Sequence, residues 1–370
     1  MAGKILVLSE PFGLGHERAA QALIKCIKTK DPRIDILHTT GIKCNFPRLT
    51  DYVLKLYLQV IKTFPHIWHK FYQQSRENKN PDSKQAVYRL LAAGIKKTIC
   101  DFRPDAVVCT HPFPASVVSR LKNDGLDVPL IGIITDYDIH AYWLDRNIDL
   151  YIIGDGILEK DFTTLGFEPR RVSSGGIPID PVFEEKRDQE ELKSRLGLDK
   201  HQPLALLAGG GWGLGDLNRI AGMLASMPAK PQVVAIAGIN SQLKGLLQQS
   251  YAGIRNVKVQ GLVQNIDEYM KAADILVTKP GGLTISEGLA AGVPMVLFDV
   301  LYGQEVWNAG FLTGRGAAVK CGHIDEIPLK VQRLLEDAKA RRQLSEQALV
   351  LGKPRSGIDA AANVIAIAGL

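Results

Sequence analysis

The stretch Ser174-Gly175-Gly176-Ile177-Pro178-Ile179-Asp180-Pro181 divides this 370-residue chain into two halves that repeat one pattern. Glycine frees a backbone and proline stiffens it, so a run of both between regular segments marks a boundary. Before it, β-rich runs alternate with helical ones. Lys4–Ser9 reads as a strand, Gly13–Gly15 as a turn and His16–Lys30 as an amphipathic helix. Ile34–Thr40, Asp105–Thr110, Pro129–Thr135 and Asp149–Gly154 read as further strands. After it, a charged helix is expected over Glu184–Leu196. Strands follow at Pro203–Ala208, Gln232–Ala237, Val257–Gln260, Asp274–Thr278, Pro294–Phe298 and Ala317–Val319. Strands alternating with helices imply βαβ units and a parallel sheet. The expected fold class is therefore α/β, with two doubly wound, Rossmann-like domains at 1–175 and 176–355. Ligands of such sheets bind at the carboxyl ends of the strands, so two domains facing each other make a deep cleft.

Composition narrows the function. Apolar residues are 46% and charged residues 23% of the chain, ordinary values for a globular protein. No apolar run reaches the roughly 20 residues that span a bilayer. The N-terminus reads as a first strand, not a signal peptide. Five cysteines without a CxxC pair suggest neither a disulfide framework nor zinc, and fit a reducing cytosol. The net charge of +6 is unevenly placed. Residues 40–100 hold eleven Lys/Arg against three acids, an excess of +8 that leaves the remainder at −2. Seven aromatics (Phe46, Tyr52, Tyr57, Phe64, Trp68, Phe71, Tyr72) are interleaved with those lysines. Aromatic anchors among basic residues suit an anionic membrane surface. No DNA- or RNA-binding module is present, so nucleic acid is not an expected partner.

Three glycine-rich stretches follow strands. In Gly13-Leu14-Gly15-His16 a third glycine is missing at Arg18, so this is not a dinucleotide fingerprint. A histidine at a helix start is kept neutral by the positive helix end, as a general base needs; the bland alternative is a helix cap. In Gly209-Gly210-Gly211-Trp212-Gly213, backbone N–H groups can approach an anion closely. No Gly-Lys-Ser/Thr follows, so it is no Walker loop. In Lys279-Pro280-Gly281-Gly282-Leu283-Thr284 with Glu287, the glycines and Thr284 offer donors to phosphate and Glu287 offers a carboxylate to ribose. Gln304-Glu305 follows the next strand, Met295–Asp299, and an amide beside an acid suits adjacent sugar hydroxyls. In this order the motifs describe a nucleotide-sugar site.

Gly-x-Gly-His, Thr135-Asp136 with His140 and Trp143, Lys-Pro-Gly-Gly with Glu287, and Gly-Gln-Glu resemble the diacylglycerol glycosyltransferase family. Bacterial processive glucosyltransferases and plant monogalactosyldiacylglycerol synthase belong to that family. The likeness spans almost the whole chain, and the glycine spacing resembles that of bacterial members. It implies the GT-B architecture, with the acceptor lipid on the N-terminal half and a UDP-sugar on the C-terminal half. It also implies a last helix, 356–370, that crosses back onto the first domain.

On this resemblance the chain is an inverting transferase moving glucose or galactose to diacylglycerol, peripheral on the cytoplasmic face of the cell membrane. His16 is the expected base, beside Gly15, and Asp136 orients His16 or the lipid headgroup. Gly209, Gly210, Gly211, Gly213, Lys279, Gly281, Gly282 and Thr284 hold the diphosphate. Glu287 holds ribose, Gln304, Glu305 and Asn308 the sugar, and the Val263 backbone the uracil. No cofactor and no dedicated metal site is expected: Asp136-Tyr137-Asp138 lies in the acceptor half, and His66 with His69 is too sparse for zinc. His111 either lines the cleft or is structural. A GT-B enzyme using UDP-N-acetylglucosamine, either a lipid-intermediate transferase or a hydrolysing epimerase, and a non-catalytic UDP-sugar sensor are the rival readings.

Overall fold

The computed structural model describes residues 3–48, 81–298 and 303–370. Two compact units emerge: residues 1–181 with 302–304 and 355–370, and residues 182–301 with 305–354.

The first unit is built on β1 (Lys4–Ser9), α1 (Leu14–Lys30), β2 (Asp35–Thr40), α2 (Gly41–Asn45), α3 (Pro81–Phe102), β3 (Ala106–Cys109), α4 (Pro112–Asn123), β4 (Leu130–Ile133), β5 (Leu150–Ile152), α5 (Glu159–Thr164) and β6 (Val172–Ser173). Its strands form one parallel sheet in the order β2-β1-β3-β4-β5-β6. Side chains alternate across β1 with period two. Ile5 and Val7 enter the apolar cluster beneath α1, while Leu6 and Leu8 enter the one lined by α2, α3 and α4. Both faces are therefore apolar, as a parallel sheet covered on both sides requires. Glu10 continues the Leu6–Leu8 row. It is fully buried, and burial pushes its pKa up to about 8. The backbone N–H groups of Gly41 and Ile42 draw that value back only in part. Helix α1 starts two residues earlier than His16, because the turn needs only Gly13, whose φ of 115° is open to glycine.

The second unit comprises α6 (Gln189–Arg195), β7 (Leu204–Ala208), α7 (Leu217–Ala225), β8 (Gln232–Ile236), α8 (Ser241–Ser250), β9 (Val257–Gln260), α9 (Ile266–Ala272), β10 (Ile275–Thr278), α10 (Gly282–Ala291), β11 (Met295–Leu297), α11 (Gln304–Gly314), β12 (Ala318–Lys320), α12 (Ile327–Glu336) and α13 (Ala338–Leu351). Its parallel sheet runs β12-β11-β10-β7-β8-β9. The helix expected from Glu184 begins instead at Gln189. Asp188 is its N-cap and accepts from the Glu191 N–H, and the preceding residues Pro181–Glu184 form a 3-10 turn.

The last helix, α14 (Ser356–Ile367), belongs to the first unit and packs on α1. Ala360, Ala361 and Val364 join Ile5, Val7, Leu23 and Ile27 in one cluster. Ser356 fixes its start: the hydroxyl donates to the Ile177 carbonyl at 2.7 Å and lies 3.3 Å from the Ile179 N–H. Lys25 on α1 holds Asp180 of the same segment at 2.8 Å.

Candidate functional site

In each sheet the chain winds outward in two directions from its first strand, and the order reverses between β1 and β3 and between β7 and β10. Loops leaving such a pair part company and open a crevice at the carboxyl ends. His16 and Thr110–His111 flank the first switch point. The Gly209–Gly215 loop and the Lys279–Gly281 turn flank the second.

His16 is half-buried in the first turn of α1. Its Nδ1 lies 2.8 Å from the Thr110 carbonyl oxygen and 2.8 Å from Thr135 Oγ1. A carbonyl can only accept, so Nδ1 carries the proton and Nε2 presents a lone pair. Burial lowers the pKa to about 4, against the opposing pull of the Thr110 carbonyl. From the sequence the helix end is the expected cause of a neutral ring; in the structure burial is the cause that lowers the pKa. Asp136 is the half-buried residue next to Thr135. Thr135 stands in the sequence only as part of the Thr135-Asp136 motif, and neither it nor Thr110 was assigned to His16, because neither is near His16 in the chain.

His111 is the N-cap of α4, where its Nδ1 accepts from the Phe113 N–H at 3.2 Å. Its ring meets that of His16 edge to face, with centroids 4.7 Å apart. Phe12 and Phe113 flank it at 5.5 and 4.7 Å. Burial holds its pKa well below the usual value, helped by the nearby His16 and His140. Trp143 is a core residue, 1% exposed, and His140 is half-buried.

The glycine loop after β7 folds tightly on itself. A Cβ on Gly209 would lie 2.1 Å from the Leu214 oxygen, and one on Gly213 2.3 Å from the Ala237 oxygen. One on Gly238, after β8, would lie 2.2 Å from the Gly211 oxygen. These glycines exist for backbone-to-backbone contact. The Gly213 N–H already donates to Gly210, so it is not available to a ligand as expected. Among the described residues the buried Trp212 indole N–H of the same loop has no partner, a donor the sequence reading missed.

Gly281 is the N-cap of α10, with no side-chain cap, and among the described residues no atom lies within 4 Å of where a Cβ would stand. Its own N–H turns back to the Lys279 carbonyl. The first-turn N–H groups of α10, at Gly282 and Thr284 among others, carry the positive end of the helix dipole. Glu287 lies one turn on and is buried. Gln304 opens α11, followed by Glu305, whose carboxylate pairs with Lys279 at 3.2 Å. Asn308, expected at the sugar, is fully buried and donates to the Pro280 carbonyl at 3.0 Å. It supports the turn. Val263 is half-buried just after β9.

Of the basic segment, residues 49–80 lie outside the described residues, and with them Lys55, Lys62, Lys70, His66, His69 and every aromatic noted there except Phe46. Among the described residues no helix is long and apolar enough to cross a membrane. No group of three or more His, Cys, Asp or Glu there is arranged to hold a metal ion.

Residues 16–179 match the family model of monogalactosyldiacylglycerol (MGDG) synthase, and residues 216–349 that of glycosyl transferases group 1. MurG of Acinetobacter baumannii superposes with a TM-score of 0.62 at 16% identity, over 98% of this chain and 99% of that one. A UDP-GlcNAc 2-epimerase of Neisseria meningitidis does so with a TM-score of 0.63 at 12% identity, over 98% and 100%. Fold alone does not separate those activities. Taken with the sequence matches, it defines a glycosyltransferase of the GT-B architecture. A processive diacylglycerol beta-glucosyltransferase of Bacillus mycoides is 30% identical over 356 residues, 95% of this chain and 90% of that protein. The chain belongs to that family.

Proposed function

We propose that this protein transfers a hexose, glucose first, from a UDP-sugar to the free hydroxyl of a diacylglycerol, with inversion at the anomeric carbon. The observation that carries this reading is the state of His16. Its Nδ1–H is spent on Thr110, burial keeps the ring neutral, and Nε2 is left as a base for an alcohol. The acceptor oxygen bonds to C1 of the sugar as the bond from C1 to the diphosphate breaks, and the proton passes to Nε2. Negative charge gathering on the departing UDP meets the N–H groups at the start of α10, the Gly210–Trp212 backbone and Lys279. Glu287 holds ribose, the Val263 backbone uracil, and Gln304 with Glu305 the sugar hydroxyls. No step calls on a metal ion or a cofactor. The relatives' names specify beta-glucosyl transfer. Nucleotide-linked glucose is α-configured, so a β product is an inverted one.

A lipid acceptor brings the enzyme to a bilayer, and the basic excess of residues 40–100 supports docking on the anionic cytoplasmic face. Each basic residue near such a surface contributes about 1 kcal/mol. Replacing Lys55, Lys62 and Lys70 by Glu should release the protein from anionic vesicles at low salt; undiminished pelleting would move the docking surface elsewhere.

The activity test supplies diacylglycerol with UDP-glucose, UDP-galactose or UDP-N-acetylglucosamine and separates products by chromatography. Glucolipid from the wild type is expected. His16→Ala should lose about 10²–10⁴-fold in turnover while UDP still binds. Near-normal turnover in that variant, or no lipid product from any donor, sinks the reading.

A further inference from the structure

Helix N-caps are normally Ser, Thr, Asp or Asn, whose side-chain oxygen accepts a backbone N–H. At the start of α4 an imidazole does this work. His111 Nδ1 accepts from the Phe113 N–H at 3.2 Å, and a nitrogen that accepts carries no proton. The neutral ring therefore holds its proton on Nε2. His16 is fixed the other way, with its proton on Nδ1 facing the Thr110 carbonyl. Two neutral imidazoles thus stand edge to face, centroids 4.7 Å apart, in opposite tautomers. Among the described residues neither Nε2 makes a hydrogen bond. One offers a lone pair and the other an N–H.

We propose that His111 binds the acceptor, its Nε2–H donating to an oxygen on the carbon next to the one bearing the attacking hydroxyl. This rests on the transfer reaction proposed above. The pair of rings would then recognise the unit HO–CH2–CH–O, in which a free hydroxyl and an ether or ester oxygen sit on neighbouring carbons. A glycerol ester has this unit; a plain long-chain alcohol does not. Phe12 and Phe113 wall His111 against water, which makes one hydrogen bond count for more.

Two substitutions separate this role from capping. In His111→Asn the amide oxygen takes the place of Nδ1 and keeps the cap, but nothing reaches the place of Nε2. In His111→Gln the amide nitrogen reaches that place and the cap is lost. Each variant is assayed with a 1,2-diacylglycerol and with a primary alcohol of matching length, in the same mixed micelles and at saturating UDP-glucose. His111→Asn should lose about three- to tenfold more kcat/KM on diacylglycerol than on the alcohol, the worth of one neutral hydrogen bond, with Tm and UDP affinity held. His111→Gln should keep the wild-type preference while its Tm falls. If His111→Asn discriminates as the wild type does, or His111→Gln loses the preference, His111 is only a cap. A wild type that uses both alcohols equally overturns this inference and leaves the transfer reaction standing. A wild type that makes no lipid product overturns both.

Discussion

Lys279 Nζ lies 3.2 Å from Glu305 Oε2, an ion pair that ties the turn after β10 to the first turn of α11. Only 19% and 23% of the two side chains are exposed, so the pair is less screened than one on the open surface. It sets the Lys279 ammonium and the Glu305 carboxylate side by side where the two turns meet.

Loss of Glu305 and loss of Glu287 should therefore separate in a binding titration. Glu305→Ala should weaken intact UDP-glucose and spare UDP. Glu287→Ala should weaken both, since ribose is common to them. Hydrogen bonds to charged groups contribute about 1.5–3 kcal/mol, so losses of roughly 10- to 100-fold in Kd are expected. Calorimetry showing equal loss of UDP affinity in both variants contradicts the assignment.

The low pKa of His16 predicts an unusual acid limb. A base works when unprotonated, so kcat/KM should hold down to about pH 5 and fall through pH 4, not through 6.5. Stability follows the same sign. Between 6.5 and about 4 the unfolded chain takes up a proton that folded His16 refuses, so this contribution is lost as pH falls. His16→Gln should flatten that part of a denaturation series; an activity midpoint near 6.5 would refute the burial argument.

Glu10 works in the opposite direction. Folded, it keeps its proton to about pH 8; unfolded, it releases it above the ordinary 4.5. Its contribution is therefore fully present below pH 4.5 and declines as pH rises to 8, at roughly 1.4 kcal/mol per unit. Glu10→Gln should remove the decline, so its stability gap from wild type should shift in its favour between pH 5 and 8. Parallel denaturation curves for the two proteins across that range would show that Glu10 is not buried as described.

Two glycines predict opposite outcomes. Gly213 has a φ of 58° and its added Cβ would meet the Ala237 oxygen at 2.3 Å, so Gly213→Ala should destabilise by at least about 1–3 kcal/mol. Gly281 has a φ of −70° and open space, so Gly281→Ala should keep Tm within a few degrees. Its methyl would stand at the mouth of α10 and weaken UDP about tenfold. A Gly281→Ala protein with full UDP affinity would remove that helix end from the nucleotide site.

The strands were legible because both faces of each sheet are covered, which writes nearly unbroken apolar runs such as Ile5–Leu8 and Leu204–Ala208. The glycine turns were legible because backbone contact leaves no alternative residue at Gly209 or Gly213. Partnerships across the sheet were not. Thr110 and Thr135 meet His16 only because β3 is seated beside β1 and β4 beside β3, an order that no local spacing encodes. Asn308 reads as a ligand residue by position in the chain, and only the fold turns it inward to Pro280. The late start of α6 had a local signal that went unused: Asp188 stands three residues before Glu191, the spacing of a capping box.

The placement of α14 bears on how the protein is born. The chain leaves the ribosome at about 5–20 residues per second, and domains ordinarily fold as they emerge, first to last. Here Ala360, Ala361 and Val364 are made hundreds of residues after Ile5 and Val7, yet they roof them. The unit synthesised first is finished last, its α1 side bare while the second unit is being made. A stop codon shortly before Ser356 would thus unroof the beginning of the molecule rather than merely shorten its end.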